Sequence, residues 1–269
     1  MLGHLLRSMP VRRRRALIAA AAAVAVVGAG AIGFSAAQSP ASAATAVSLT
    51  GWRLTLPVDA AGKQSGASTT VSPAKVTSPW LTRTSAGALA FFAPTKGAHT
   101  PNSPHPRTEL VSVNDFAAGA GTHTMSATMV MQQLPSAQDI IIGQIHGGGP
   151  ISSVPLLMLH YRHTSADAVN SGRVTLTIRK NPTVSGSDLT TVLTNVPMNA
   201  PFSYTITENA AGFTVTATSA GRTGKQTAAL NPPFQGKDVR FQVGDYQQTE
   251  ANNSATDGGK LTITALTDS

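Results

Sequence analysis

Three pairs of polar residues interrupt segments that otherwise alternate with apolar ones, and each pair is spaced by two: Arg107 with Glu109, Gln144 with His146, and Tyr246 with Gln248. In an extended strand residues i and i+2 lie on one face, so the members of each pair project together. Leu110 and Ile145 supply apolar neighbours in the first two segments, and Phe241 and Val243 take the alternate parity in the third. Each strand can then show polar chemistry on one side and hydrocarbon on the other. If the three are neighbours in one sheet, about 4.8 Å apart, they build a patch of Arg, Glu, two Gln, His and Tyr suited to an extended polar ligand. Singly, the pairs have plainer readings. Arg107 and Glu109 could be a surface ion pair worth little, Tyr246 a half-buried sheet tyrosine, and His146, which heads Gly147-Gly148-Gly149, a solvated histidine. The combination is what points to chemistry.

The elements that must position these residues read as strands. Of 269 residues 41% are apolar and 12% charged, enough for a substantial core and too apolar for disorder. The chain has no cysteine, which excludes disulfides, thiolate metal sites and a cysteine nucleophile. Short Val/Ile/Thr/Phe runs broken by Gly, Pro, Asn and Ser predict strands at 52–56, 88–92, 122–131, 140–146, 156–161, 173–179, 202–208, 212–218, 239–246 and 260–265. In Val174-Thr175-Leu176-Thr177-Ile178 and Leu261-Thr262-Ile263-Thr264 every second residue is apolar, so those positions face a core and the threonines face away. No segment after Ala44 carries an apolar stripe of helical period and length. The expected fold is therefore all-β, a jelly-roll sandwich of two antiparallel sheets, in one domain over residues 44–269.

The overall charge of +8 needs the position of its charges. Five of the 20 basic residues, Arg7 and Arg12 to Arg15, precede position 44, and none of the 12 acidic ones does, which leaves 15 against 12, or +3. A basic start, an uncharged Ala/Val-rich run from Ala16 to Gly33 and Ala41-Ser42-Ala43 have the anatomy of a signal peptide, 1–43, cleaved before Ala44. An uncleaved membrane anchor is the competing reading, since the run approaches the length of a span; its Ala/Gly-rich character and the A-x-A site favour cleavage. The expectation is a secreted, extracellular protein, without a membrane attachment after cleavage. Its small remaining charge and its export disfavour a nucleic-acid partner.

Arg107-Thr108-Glu109-Leu110, Gln144-Ile145-His146 and the run from Phe241 to Gln248 resemble, in order, three signature segments of the family 7 polysaccharide lyases, the alginate lyases. Trp52-Arg53-Leu54-Thr55-Leu56-Pro57 resembles that family's opening strand, and Pro106 stands directly before the first motif. The resemblance spans nearly all of the chain after Ala44. It implies a β-jelly roll whose concave sheet binds an anionic polysaccharide and needs no cofactor and no metal. One subunit could hold the whole site, so a monomer is expected. The implied reaction is β-elimination from a uronic acid polymer. Removal of the C5 proton is hard because the adjacent carboxylate is already negative, so the site must neutralise that group and stabilise the enolate-like charge. By resemblance Arg107, Gln144 and His146 do this, arginine with a fixed fork of donors and glutamine with a neutral N–H. Tyr246 is the implied proton-transfer residue: alone for mannuronate, as acid opposite His146 as base for guluronate. A phenol with an ordinary pKa near 10 is a poor base at neutral pH, so help from Arg107 or a basic working pH is expected. Glu109, Gln242 and Gln248 are expected to contact the substrate.

Two positions depart from the family pattern. Val111 stands where many relatives carry arginine and Gln242 where a lysine is common. Both changes remove a positive charge from strands expected to meet an anionic chain, so binding is weaker or the preferred uronate differs, with glucuronan as the alternative polymer. Ile145 in Q-I-H accompanies tolerance of guluronate in the family. His160 and Arg162 share a face and either extend the groove or are merely solvated. A metal site from His146, His160 and His163 is disfavoured for want of a carboxylate partner. Asn252-Asn253-Ser254 fits the N-glycosylation pattern. The rival from another class is a noncatalytic carbohydrate-binding jelly roll, against which stand the few aromatics, 2 Trp, 3 Tyr and 8 Phe, too few for the usual stacking platforms.

Overall fold

The computed structural model describes residues 45–183 and 186–269; the expected signal peptide lies outside the described residues. In chain order the strands are β1 Trp52–Thr55, β2 Thr70–Val71, β3 Leu81–Arg83, β4 Leu89–Pro94, β5 Arg107–Ser112, β6 Phe116–Ala117, β7 Thr122–Gln133 and β8 Asp139–Gly147. They continue as β9 Pro155–Arg162, β10 Ser171–Arg179, β11 Ser187–Pro197, β12 Pro201–Asn209, β13 Gly212–Ser219, β14 Arg222–Ala228, β15 Asp238–Gln247 and β16 Gly258–Asp268. Only two short 3₁₀ turns, Gly149–Ile151 and Pro232–Phe234, interrupt the strand pattern among the described residues. No described helix is long and apolar enough to cross a membrane.

Two antiparallel sheets form. One runs β11-β10-β9-β8-β15-β5-β1-β2, with β6 added beside β15; the other runs β14-β13-β12-β7-β16-β4-β3. Every strand predicted from the sequence is present. Those not predicted are short or polar, notably β11 and β14, whose residues are largely exposed and carry little apolar alternation. The core lies between the sheets, where Leu110, Ile145, Phe241, Val243, Leu157 and Leu176 of the first meet Met129, Phe202, Ile206, Val215, Leu261 and Ile263 of the second. Burial of such side chains at about 25 cal/mol per Å² of apolar surface is the main stabilising term in a chain without cross-links. Thr264 is exposed as its parity predicts, whereas Thr175 and Thr262 are buried. Polar side chains also cross between the sheets: Asp245 accepts a hydrogen bond from the Ala93 amide at 2.9 Å and so joins β15 to β4, and Thr108 of β5 donates to the Phe92 carbonyl of β4 at 2.7 Å. Burial pushes the Asp245 carboxyl well above the ordinary range.

The middle of the first sheet is not regular, and the irregularity decides what faces outward. Ile140, Ile142, Gln144 and His146 share one sequence parity, yet Ile140 and Ile142 belong to the core and Gln144 and His146 do not. A strict period of two would place all four on one face. Register shifts at the same level separate Ile141 from Gly143 in the β8–β9 ladder and Val243 from Tyr246 in the β15–β8 ladder. Such an inserted residue turns the rest of the strand over. Gly143 stands at the shift because nothing larger fits: a Cβ there would lie 2.5 Å from the phenol oxygen of Tyr204, which donates to the Ile142 carbonyl at 2.7 Å. Tyr204 is on β12, so the opposite sheet satisfies the backbone carbonyl that the bulge leaves in the interior.

Gly143→Ala is therefore expected to destabilise the fold by about 1–3 kcal/mol through overpacking. The measurement is the midpoint of chemical denaturation, and an unchanged midpoint would show that the phenol yields without cost.

Candidate active site

The three signature strands are adjacent, in the order β8-β15-β5. Their registers set Arg107 directly opposite Tyr246, Gln242 opposite both Val111 and Gln144, and Arg240 opposite His146. The expected face is thereby assembled. Arg107, Glu109, Gln144, His146, Gln242 and Tyr246 all line one groove of about 510 Å³, together with residues of the segment before β5 and of the connection between β8 and β9. Gln248 is not brought to it. β15 ends at Gln247, and the Gln248 amide folds back onto the Tyr246 and Gln247 carbonyls at 3.0 and 3.3 Å. The i, i+2 spacing with Tyr246 loses its meaning where the ladder stops.

Arg107 is the centre of the arrangement. Its guanidinium carbon lies 3.4 Å from the Tyr246 ring centroid, so the cation rests on the aromatic face. Nη1 donates to Glu109 Oε2 at 3.3 Å and Nη2 to Thr100 Oγ1 at 3.4 Å, while the buried Nε has no partner among the described residues. Glu109 is fully withdrawn from solvent, at 0% exposure, where the sequence suggested a substrate-facing or surface carboxylate. Burial raises its carboxyl above the ordinary range, opposed by the Arg107 charge and by hydrogen bonds from Gln144 and Arg107. Glu109 thus sits beneath the groove as the support of two other side chains.

Gln144 differs from its expected use. Its Nε2 donates to Glu109 Oε1 at 2.5 Å and to Gln242 Oε1 at 3.2 Å, so both amide hydrogens are taken by the protein. Its buried Oε1 has no partner among the described residues. The amide oriented this way offers an acceptor, where the family resemblance implied an N–H donor.

His146 is half-buried with Nδ1 3.3 Å from the Gly147 carbonyl. Burial lowers its pKa to about 4, with the positive charges of Arg107 and Arg240 acting in the same sense and the Gly147 carbonyl opposing. The imidazole is consequently neutral at neutral pH. A neutral ring beside a carbonyl carries its proton on Nδ1 and keeps a lone pair on Nε2, which makes it competent as a base. Tyr246, 8% exposed, has its phenol oxygen 2.6 Å from Ser103 Oγ.

Ser103 and Thr100 were not legible as site residues, because the segment before β5 has no periodicity that aims a side chain. Arg179 also lines the groove. Its signal was present, in the outward parity of Arg173-Thr175-Thr177-Arg179. His160 and Arg162 do share a face, but both are bound to Asp139, His160 Nδ1 at 2.9 Å and Arg162 through Nε at 3.2 Å and a further contact from Nη2. His163 is held elsewhere, its Nδ1 2.6 Å from the Ser171 carbonyl. Among the described residues no group of three or more His, Cys, Asp or Glu side chains could hold a metal ion.

The alginate lyase family profile matches residues 47–269. Among solved structures, an alginate lyase from Pseudomonas aeruginosa is 27% identical, with 82% of this chain and 99% of that one covered at a TM-score of 0.69. Alginate lyase A1-II', a member of polysaccharide lyase family 7, is 25% identical over 82% of this chain and 95% of its own, TM-score 0.64. A doubly substituted variant of A1-II', in complex with a GGMG substrate, is likewise 25% identical over 82% and 93%, TM-score 0.65. Comparison with curated protein sequences gives no match. Fold and groove together define a polysaccharide lyase of jelly-roll architecture. The chain belongs to the alginate lyase family.

Two outcomes follow from the site. The His146 imidazole, followed by NMR, is expected to protonate near pH 4; because the shift is downward, the neutral ring persists as pH falls from 7 to 5 and is lost only below about 4. A titration near the ordinary 6.5 would place the ring in open solvent. Glu109→Ala strips the carboxylate from a buried guanidinium and is expected to cost about 3–5 kcal/mol of folding free energy. A loss under about 1 kcal/mol in denaturant titration would mean that the pair is solvated.

Proposed function

We propose that this lyase is secreted and cleaves alginate by β-elimination, releasing oligouronates with a C4–C5 double bond at the new non-reducing end. The observation that carries this reading is the convergence of Arg107, Gln144, His146 and Tyr246 on one groove in a chain of this family. Support for the substrate comes from A1-II', whose variant is seen with a GGMG substrate. Support for export comes from the basic start, the uncharged run and Ala41-Ser42-Ala43. Residues 44–269 are then the mature domain, acting as a monomer because one subunit supplies every group of the groove.

In this reading Arg107 carries the uronate carboxylate, its unpartnered Nε and the guanidinium charge stabilising the anion as electron density moves onto it. Glu109 fixes the guanidinium from below, which makes it a positioning residue. The free Oε1 of Gln144 accepts a sugar hydroxyl hydrogen. For guluronate, Nε2 of neutral His146 takes the C5 proton, the C5–H electrons form the C4–C5 double bond, the C4–O4 bond breaks, and the Tyr246 hydroxyl protonates the departing O4. For mannuronate, where C5–H and O4 lie on one side, Tyr246 as the phenolate takes the C5 proton, the C5–H electrons form the C4–C5 double bond as the C4–O4 bond breaks, and the resulting phenol returns the proton to the departing O4. Ser103, 2.6 Å from the phenol oxygen, holds that hydroxyl in place.

The test is the ultraviolet absorbance of the unsaturated product on alginate, poly-mannuronate, poly-guluronate and glucuronan. Activity is expected on alginate, and Tyr246→Phe should lower kcat by about 10²–10⁴-fold. Product formed only from glucuronan would reassign the substrate, and retained activity in Tyr246→Phe would remove the phenol from the mechanism.

A further inference from the structure

The groove is lined by very little uncompensated positive charge. Arg107 faces Glu109, and His146 is neutral at neutral pH. Val111 on β5 and Gln242 on β15, which also line the groove, are uncharged. At the β9–β10 side of the sheet the basic residues are neutralised one after another: Arg162 by Asp139, Arg173 by Asp167 at 3.0 Å, and Lys180 by Asp188 at 2.8 Å. Arg179 is the exception. It lines the groove, and among the described residues no carboxylate lies within ion-pairing distance of it.

Its head group is also held for use. Arg179 Nε donates to the Asn181 carbonyl at 3.2 Å, and Asn231 Nδ2 donates to the Arg179 carbonyl at 2.8 Å, so both the side chain and its backbone are anchored. The two terminal nitrogens have no protein partner among the described residues. Ile178 pairs with Leu157 and Leu157 with Ile145, which puts Arg179 two strands from His146, or about 10 Å at the usual strand spacing. Ser152 and Ser153 line the same groove and offer hydroxyls to a sugar ring. An anchored guanidinium with a free end-on fork suits a carboxylate, and a polyuronate presents one on every residue.

We propose that Arg179 binds the carboxylate of a uronate residue further along the polymer from the one being cleaved, and is the principal electrostatic determinant of polymer affinity in this groove. The proposal rests on the reading of the groove as a polyuronate lyase site.

The experiment compares the full chain with Arg179→Ala and Arg179→Lys by calorimetric binding of alginate oligosaccharides at low and high salt, alongside turnover of polymeric alginate. Removal of a charge-assisted contact is expected to raise Kd, and KM on polymer, about tenfold at low salt. The gap should narrow as salt rises, lysine should recover part of the loss as a point charge, and kcat should stay within about twofold, since the contact is uniform between ground and transition states. Equal Kd for the parent and Arg179→Ala, or a fall in kcat with Kd unchanged, would overturn the assignment. A parent that binds uronate with the Arg179-dependent Kd but forms no unsaturated product would overturn the lyase reading and leave Arg179 standing; a parent that binds none would overturn both.

Discussion

A guanidinium and a carboxylate withdrawn from water persist in a fold only when they neutralise each other and their remaining hydrogen-bonding capacity finds partners. Arg107 and Glu109 neutralise each other two residues apart on one face of β5, at 7% and 0% exposure, and among the described residues only the buried Nε of the guanidinium is left without a partner. The rest of the groove is organised around them. Glu109 also accepts from Gln144 of β8, across the intervening β15, and β15 contributes Gln242 to the same amide and the Tyr246 ring to the guanidinium. Three strands are thus tied together on their polar face as well as through their ladders. Groups held this way before a ligand arrives need no reorganisation when charge develops, which is the condition for electrostatic stabilisation of an anionic transition state.

The same desolvation that makes the pair necessary sets the protonation of its neighbour. Burial disfavours the charged imidazole of His146, and the cations of Arg107 and Arg240 add to that, so the ring is kept neutral by its surroundings without a carboxylate beside it. Arg240 is itself held by Asp115 at 2.7 Å. A histidine in this state is a base with its lone pair available, whereas a histidine paired with an acid, as His160 is with Asp139, is committed to structure. Two histidines on adjacent strands of one sheet therefore differ in what their rings face, a backbone carbonyl for His146 and a carboxylate for His160.

Both arrangements depend on a backbone irregularity. Without the shift at Gly143, β8 would continue the parity of Ile140 and Ile142 and turn Gln144 and His146 into the core, where no partner awaits them. The bulge is stabilised from the other sheet by the Tyr204 hydroxyl. Gly244 serves β15 at the corresponding level: its φ of +149° suits glycine, and a Cβ would lie 2.6 Å from the Thr108 carbonyl oxygen and 2.9 Å from Glu109 Cα. Close approach of β15 to β5 is what allows the ring of Tyr246 to lie on Arg107.

The sequence alone determined the architecture and named four residues of the groove, Arg107, Gln144, His146 and Tyr246. Alternation of apolar residues defines which strands exist and which faces they bury, and three ordered motifs name the guanidinium, amide, imidazole and phenol, because both are patterns carried by neighbouring residues. Strands such as β11 and β14 stayed hidden where alternation is weak. The tertiary structure alone decided that Glu109 is a buried support, that the Gln144 amide spends its hydrogens on protein, that Gln248 falls outside the groove, and that Ser103 belongs to it. Those outcomes depend on ladder register, on where a strand ends and on side chains arriving from distant segments, and no local period in the chain encodes the partner that another strand will bring.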